Sequence, residues 1–300
     1  MINSPILMLM WKIVEENDHL YYTFAKPPEG MSLIEDIPYI DDASKEHQLD
    51  LARPKEYDGK LPVIVHVHGG GWVSGDKDSY YRYYGMELSR HGFAVLTVNY
   101  RLAFDHPFPA QIEDLRAVLT WVETHSTEYD LDLSRVYLVG DSAGAHLVAL
   151  LANTLLNPDL CAKFSIEKSN VKIRALGLNC GVYDLQRLLS SEVDFPQLKL
   201  TVETLFDRPD YALHPMFPYS SISANLQHNF PPAYLLTSES DSLNVETLAF
   251  ADELEDMGIP HELHIMEEEL KLGHVFHLKL NIPESLEVMY DMVRFFKRIN

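Results

Sequence analysis

The chain has 300 residues, 46% hydrophobic and 23% charged, a composition that suits a folded α/β domain and excludes disordered, collagen-like and coiled-coil chains. Twenty-four Lys and Arg against 45 Asp and Glu leave a net charge of −21, which argues against nucleic acid and anionic membrane surfaces as partners. Two cysteines, Cys161 and Cys180, are too few for a disulfide framework and lack metal-ligand spacing, so a reduced, cytoplasmic setting is expected.

Taken in chain order, the first element is a short amphipathic helix. Ser4 and Pro5 read as N-cap and first helical residue, and Ile6, Leu9, Met10 and Ile13 are expected to form its buried face. Its apolar stretch falls far short of the ~20 residues of a membrane span, and neither a basic leader nor a cleavage site flanks it. Residues 34–39 and 47–52 alternate and suit an antiparallel strand pair at a sheet edge. From residue 60 onward, β-rich runs (62–67, 93–98, 136–139, 173–178, 233–237 and 262–265) alternate with helical stretches (109–122, 243–257 and 283–297). Near-continuous Val/Ile/Leu runs imply strands buried on both faces, hence a mostly parallel, doubly wound sheet covered by helices. One segment departs from this rhythm. Between residues 184 and 230 lie Phe195, Phe206, Tyr211, Phe217 and Tyr219, interspersed with Pro196, Pro209, Pro215 and Pro218. A connection this long is expected to be functional, and a passage over the top of the sheet would make it a cap. The expected organisation is one domain over 1–300, with cap elements from about 1–30 and 184–230.

Two motifs carry chemistry. Gly140-Asp141-Ser142-Ala143-Gly144 follows a strand run and opens a helical stretch. At so sharp a strand-to-helix turn the serine hydroxyl projects above the sheet, and the flanking glycines avoid collisions that a Cβ would cause. The Ala143 N–H and the helix N-terminus then lie beside the serine oxygen, where negative charge would develop. The second motif is His68-Gly69-Gly70-Gly71-Trp72, directly after the run 62–67. Consecutive glycines let backbone N–H groups turn inward onto an oxygen, which makes Gly70 and Gly71 oxyanion-hole candidates. A phosphate-cradling loop is the alternative, but neither G-K-[ST] nor G-x-G-x-x-G accompanies it. His68 reads as a brace for the loop and His66 as a strand residue.

At this point the sequence resembles the α/β-hydrolase esterases and lipases of the hormone-sensitive-lipase and carboxylesterase-like type. The resemblance rests on HGGGW (68–72), NYRLA (99–103), HPFPA (106–110), GDSAG (140–144), SESDSL (238–243) and GHVF (273–276), in family order. Ile37, Tyr39, Leu49, Asp50, Leu51 and Pro54 look closest to the branch near feruloyl- and acetyl-esterases and arylformamidases. Departures occur at Ala103-Phe104 and Ala145, away from any catalytic atom. The resemblance implies an α/β-hydrolase fold with a small cap and the chain order serine, acid, histidine.

Asp241 stands just beyond the run 233–237, at the carboxyl end where open sheets place their sites, and is the acid candidate, with Glu239 and Asp256 as rivals. His274, after Gly273 and the acidic loop Glu267-Glu268-Glu269, is the base candidate. His277 is the runner-up, and His264 is expected inside a strand. The carboxylates of that loop are expected to raise the folded pKa of either ring.

Assembled, Ser142, Asp241 and His274 with Gly70, Gly71 and Ala143 describe acyl transfer through a covalent intermediate, without a metal or organic cofactor. The expected activity is that of a serine carboxylesterase acting on small-molecule esters with short acyl or aromatic groups, with Trp72, Phe206 and Phe217 lining the pocket. The same rings serve equally as packing between cap and body. Long-chain triglyceride is disfavoured because no exposed apolar lid helix is evident. An arylformamidase would use the same triad on an N-formyl amide, and a non-catalytic binding protein on this scaffold is the alternative of a different class. The pattern leaves a homo-oligomer open.

Overall fold

The computed structural model describes residues 4–22, 28–191, 193, 195 and 197–299. Pro196, counted above in the Pro-rich segment, lies outside the described residues, as do residues 1–3 and 23–27 of the N-terminal stretch.

Eight strands make one sheet: β1 (Met31–Pro38), β2 (Gln48–Pro54), β3 (Leu61–Val67), β4 (Ala94–Val98), β5 (Leu131–Asp141), β6 (Ile173–Asn179), β7 (Ala233–Ser238) and β8 (His261–Met266), in the order β1-β2-β4-β3-β5-β6-β7-β8. β1 pairs antiparallel with β2, and β2 antiparallel with β4; every other neighbour is parallel. The edge hairpin and the doubly wound parallel core thus follow the hydrophobic patterns.

Side chains alternate across the strands, so each strand feeds two separate apolar clusters. Val63, Val65 and Val67 face one layer with Leu96, Leu138, Leu176, Leu178 and Leu235. That layer includes the helices α3 (Ala110–His125), α4 (Ala143–Leu155) and α10 (Asn244–Asp256). Ile64, Val95, Tyr137, Val139, Tyr234 and Leu236 face the opposite layer, built from α2 (Ser79–Ser89) and α11 (Pro283–Arg298). At ~25 cal/mol per Å² of apolar surface, burial on both faces is the main force holding the central strands. β8 is different: it is the far edge of the sheet, and Leu263 and Ile265 are 36% and 44% exposed there. His264 lies within β8, as expected, and at this edge its ring stands beside Glu262 and Asp291.

The N-terminal helix α1 (Pro5–Tyr22) begins as expected, with the Ser4 hydroxyl accepting the Leu7 N–H. Its buried face is not the expected one. Ile6, Leu9 and Ile13 are 71%, 60% and 51% exposed, whereas Leu7 and Trp11 are buried and Met10 is partly so. Residues 6–11 are apolar all round, so periodicity selects no face, and the indole of Trp11 brings the largest area to bury. An exposed apolar helix face therefore exists, against the sequence-based expectation. Among the described residues, no helix is long and apolar enough to cross a membrane.

Downstream of α5 (Pro158–Phe164) and β6, the aromatic and proline-rich segment forms α6 (Leu185–Ser190), α7 (Leu198–Leu205), α8 (Phe217–Ser220) and α9 (Ile222–Asn225). Fully buried Glu246 of α10 holds its entrance by accepting the Tyr183 and Asp184 N–H groups and pairing with Arg187. The Phe108 N–H donates to Leu205 O, and His146 of α4 bonds Ser220 O, so the segment is tied to the body along its length.

Candidate active site

The site lies at the carboxyl ends of β3, β5 and β7, where an open sheet leaves a crevice. Ser142, between β5 and α4, holds φ 50° and ψ −120°, a strained conformation for a residue with a Cβ. The glycines around it are obligatory. A Cβ on Gly140 would come within 2.4 Å of the Gly144 carbonyl carbon, and one on Gly144 within 2.2 Å of Val67 O.

The structure brings Ser142, His274 and Asp241 together, across 132 and 33 residues of chain. His274 Nε2 is 2.9 Å from Ser142 Oγ, and its Nδ1 is 3.0 Å from both Asp241 carboxylate oxygens. With Nδ1 protonated and donating to Asp241, Nε2 is free to accept the serine hydroxyl proton. Asp241 is almost fully buried. Burial alone would raise its pKa, yet His274, the Leu243 N–H and the Cys180 thiol together hold it below the usual carboxylate value. Cys180, also buried, has its own pKa driven well up by burial and by Asp241, so it stays a thiol that can donate to that carboxylate. Among the described residues, the three-donor group that could meet a metal ion is Cys180, Asp241 and His274. Its Asp and His atoms are the ones already bonded to each other.

The rival residues lie elsewhere. Glu239 is exposed and accepts the Glu268 N–H, and Asp256 ends helix α10. His277 is fully buried against Tyr84, and among the described residues neither ring nitrogen has a hydrogen-bond partner. Its pKa is lowered well below the ordinary value, first by burial and then by His66 and His274, which reverses the expected upward shift. Desolvation outweighs the solvated carboxylates of the 267–269 loop.

Gly70 and Gly71 turn through φ 91° and 58°. Among the described residues their N–H groups meet no protein acceptor, the condition an oxyanion hole needs. The loop carrying them is braced on several sides. His68 stacks on Tyr100 at 4.2 Å and bonds Gly69 O through Nδ1. The Tyr81 hydroxyl accepts the Gly69 N–H and donates to Asp141, each at 2.7 Å, so it joins the glycine loop to the turn that carries Ser142. Trp72, at φ 64°, donates its indole N–H to His146 Nδ1. His146 must then donate from Nε2 to Ser220 O, and burial lowers its pKa to about 4, which keeps it neutral. Tyr81, His146 and Cys180 escaped sequence reasoning, because each has a partner 60 or more residues away that leaves no local pattern.

The pocket candidates divide. Trp72 is buried in the relay just described. Phe206 packs against Phe108, His214 and Phe217, and Phe217 against Phe206 and Tyr211, so Phe206 is buried and Phe217 partly buried where the 184–230 segment meets the body. Phe195 stands edge-on to His274, with ring centroids 6.0 Å apart. Trp11 stands 6.5 Å from Phe195, and its Cζ2 would lie 2.7 Å from a Cβ built on Gly71.

Known proteins share this architecture. The chain is 30% identical over 212 residues to esterase LipI of Mycobacterium tuberculosis, covering 68% of this chain and 63% of LipI, so it spans just under two thirds of that relative. It is 31% identical to carboxylesterase NlhH of the same organism, covering 76% of this chain and 70% of NlhH. Esterase B of Lactobacillus rhamnosis superposes with a TM-score of 0.90 at 26% identity, covering 98% of this chain and 93% of that one. The same enzyme has also been solved inhibited with a C4-C4 tributyrin phosphonate, and that form superposes at 0.89. The BD-FAE family model matches residues 49–247, which include the glycine loop, the Ser142 turn and Asp241. The chain, an α/β-hydrolase fold with esterases among its relatives, belongs to the BD-FAE family.

Proposed function

We propose that this chain is a serine carboxylesterase that hydrolyses short-chain acyl or aromatic esters through an acyl-enzyme. The observation that carries this reading is the continuous hydrogen-bonded line from Ser142 through His274 to Asp241, set beside two glycine N–H groups that meet no acceptor among the described residues. In this mechanism His274 takes the serine proton as Ser142 attacks the ester carbonyl. The N–H groups of Gly70, Gly71 and Ala143 hold the oxyanion. His274 then protonates the departing alcohol, and water repeats the cycle to free the acid. Asp241 fixes the imidazole tautomer and stabilises the imidazolium.

We further propose that α1 and residues 184–230 cap the site, a role supported by the contacts of Trp11 with Gly71 and of Phe195 with His274. Two aromatic rings so near the reacting atoms favour small ester substrates, and the Lactobacillus esterase was solved inhibited with a C4 phosphonate. The free, buried thiols of Cys161 and Cys180 suit a cytoplasmic setting.

Hydrolysis of p-nitrophenyl esters from C2 to C12 tests the substrate class. Activity is expected to peak at C6 or below, and a maximum at C10 or above refutes the short-chain assignment. A higher kcat/KM on N-formylkynurenine than on any ester would instead make the protein an arylformamidase.

A further inference from the structure

The site draws on two segments that arrive separately, the glycine loop and the Ser142 turn. Gly144 sets their backbones in contact, since a Cβ on it would stand 2.2 Å from Val67 O and 2.6 Å from His68 O. Packing of this kind fixes how close the segments lie, but a run of glycines can still rotate its N–H groups. A directional bond between the two segments is what holds those groups in register with Ser142.

Tyr81 supplies one. It stands in the first turn of α2, is 3% exposed, and its ring lies beside His66 and His68. Its hydroxyl accepts the Gly69 N–H and donates to Asp141 Oδ2. Gly69 immediately precedes Gly70 and Gly71, and Asp141 immediately precedes Ser142, so a single phenol oxygen joins the segments one residue short of their functional groups. Burial and the nearby Asp141 hold the phenol's pKa well above its ordinary value, so the hydroxyl keeps the proton that it donates. The junction is tight: a Cβ on Gly69 would meet Asp141 Oδ2 at 2.6 Å and the Tyr81 oxygen at 3.2 Å. Other bonds of the loop run elsewhere. Tyr100 donates to the His68 and Gly69 carbonyls, and Trp72 donates to His146. Neither of these reaches residues 140–142. The helix behind Tyr81 is itself anchored: the next residue, Arg82, pairs with buried Asp50 of β2 at 2.7 Å, and Lys77 pairs with the same carboxylate at 2.9 Å.

Resting on the esterase reading above, we propose that Tyr81 is a positioning residue for catalysis. Through Gly69 and Asp141 it aims the Gly70 and Gly71 N–H groups at the point where the oxyanion forms on the carbon attacked by Ser142. It touches no substrate. A small misplacement of the donors is felt in the transition state and little in ground-state binding.

A transition-state mimic and its inert analogue separate this role from a loss of stability. Ser142 attacks 1,1,1-trifluoro-2-hexanone: the Oγ–C bond forms, the carbonyl oxygen becomes the oxyanion, and the serine proton passes to His274. The parent ketone, 2-hexanone, has the same skeleton without the activating fluorines. Inhibition constants for both are measured against p-nitrophenyl butyrate in the wild type and in Tyr81→Phe; they do not depend on how much of the protein is folded. Removing the hydroxyl should raise the trifluoro ketone constant about 10- to 100-fold and lower kcat to a similar extent. KM and the 2-hexanone constant should move by less than about 3-fold. If circular dichroism shows Tyr81→Phe to be unfolded, Asp141→Ala breaks the same bridge from its other end. Its trifluoro ketone constant should rise well above that of Asp141→Asn, which keeps a partner for the hydroxyl. An unchanged trifluoro ketone constant in folded Tyr81→Phe, or equal constants in the two Asp141 variants, overturns the positioning role alone. A wild type that neither hydrolyses the ester nor is inhibited by the trifluoro ketone overturns the esterase reading, and this assignment with it.

Discussion

Three fully buried imidazoles make the fold sensitive to mild acid. Burial lowers His66 to about 3, with a smaller contribution from His68. Burial likewise lowers His68 and His146 to about 4 each, the bond to Gly69 O and that to Ser220 O offsetting it in part. Each folded pKa lies below the unfolded value of 6.5, so between the two the unfolded chain binds more protons than the native one. Stability is therefore full above about pH 7, starts to fall as pH drops through 6.5, and keeps falling toward the folded values. At pH 5 each unfolded ring is almost wholly protonated while the native ring is not, which costs about 2 kcal/mol per histidine and about 6 kcal/mol for the three. His277 acts in the same direction. Against a typical total of ~5–15 kcal/mol this is a large fraction. Exposed carboxylates, whose neutralisation relieves the repulsion of a −21 chain, titrate mainly below pH 5 and do not compensate in this window. Urea unfolding followed by circular dichroism at pH 7.5 and pH 5 reads the effect. With an m-value on the order of 3 kcal/mol/M the midpoint should drop by about 2 M. His66→Phe should make the pH dependence shallower by one ring's share. Equal midpoints at the two pH values would refute the neutral, buried state of these rings.

Other expectations follow from single contacts. Asp241→Asn should keep the fold but lower kcat by about 10⁴-fold, as loss of the tautomer-fixing partner does in such triads, and steady-state kinetics on a p-nitrophenyl ester measures it. Gly71→Ala should lower kcat by roughly 10²- to 10³-fold, because the new methyl meets only side chains and displaces the loop that carries the oxyanion donors. Gly70→Ala should fail to give folded protein, because its Cβ would sit 2.0 Å from the Ser74 carbonyl oxygen, and expression with circular dichroism separates the two variants. Tyr81→Phe should cost about 1–3 kcal/mol in denaturant unfolding, since the buried Gly69 N–H loses its acceptor and Asp141 loses a donor.

Much of the site could be read from residue order because its chemistry demands particular local geometry. GDSAG needs glycines where a Cβ would strike backbone, and the structure meets that demand at Gly140 and Gly144. His274 stood apart from His277 by position and by the GHVF match, and burial explains the difference: one ring reaches the serine while the other is sealed beneath the sheet's helices. The strands were legible because Val, Ile and Leu runs must be covered on both faces. The face of α1 was not, since a helix apolar on every side carries no directional signal. Trp11, Tyr81, His146 and Cys180 were missed for another reason. Each acts through a contact made only by tertiary folding, and the residue types are unremarkable in their own neighbourhoods.

The central claim is that Ser142 is a nucleophile activated by His274. Treatment with a fluorophosphonate followed by peptide mass spectrometry tests it directly. One adduct is expected on the peptide containing Ser142 in the wild type, with none in His274→Ala. Labelling at another serine, or an unlabelled wild-type protein, would contradict it.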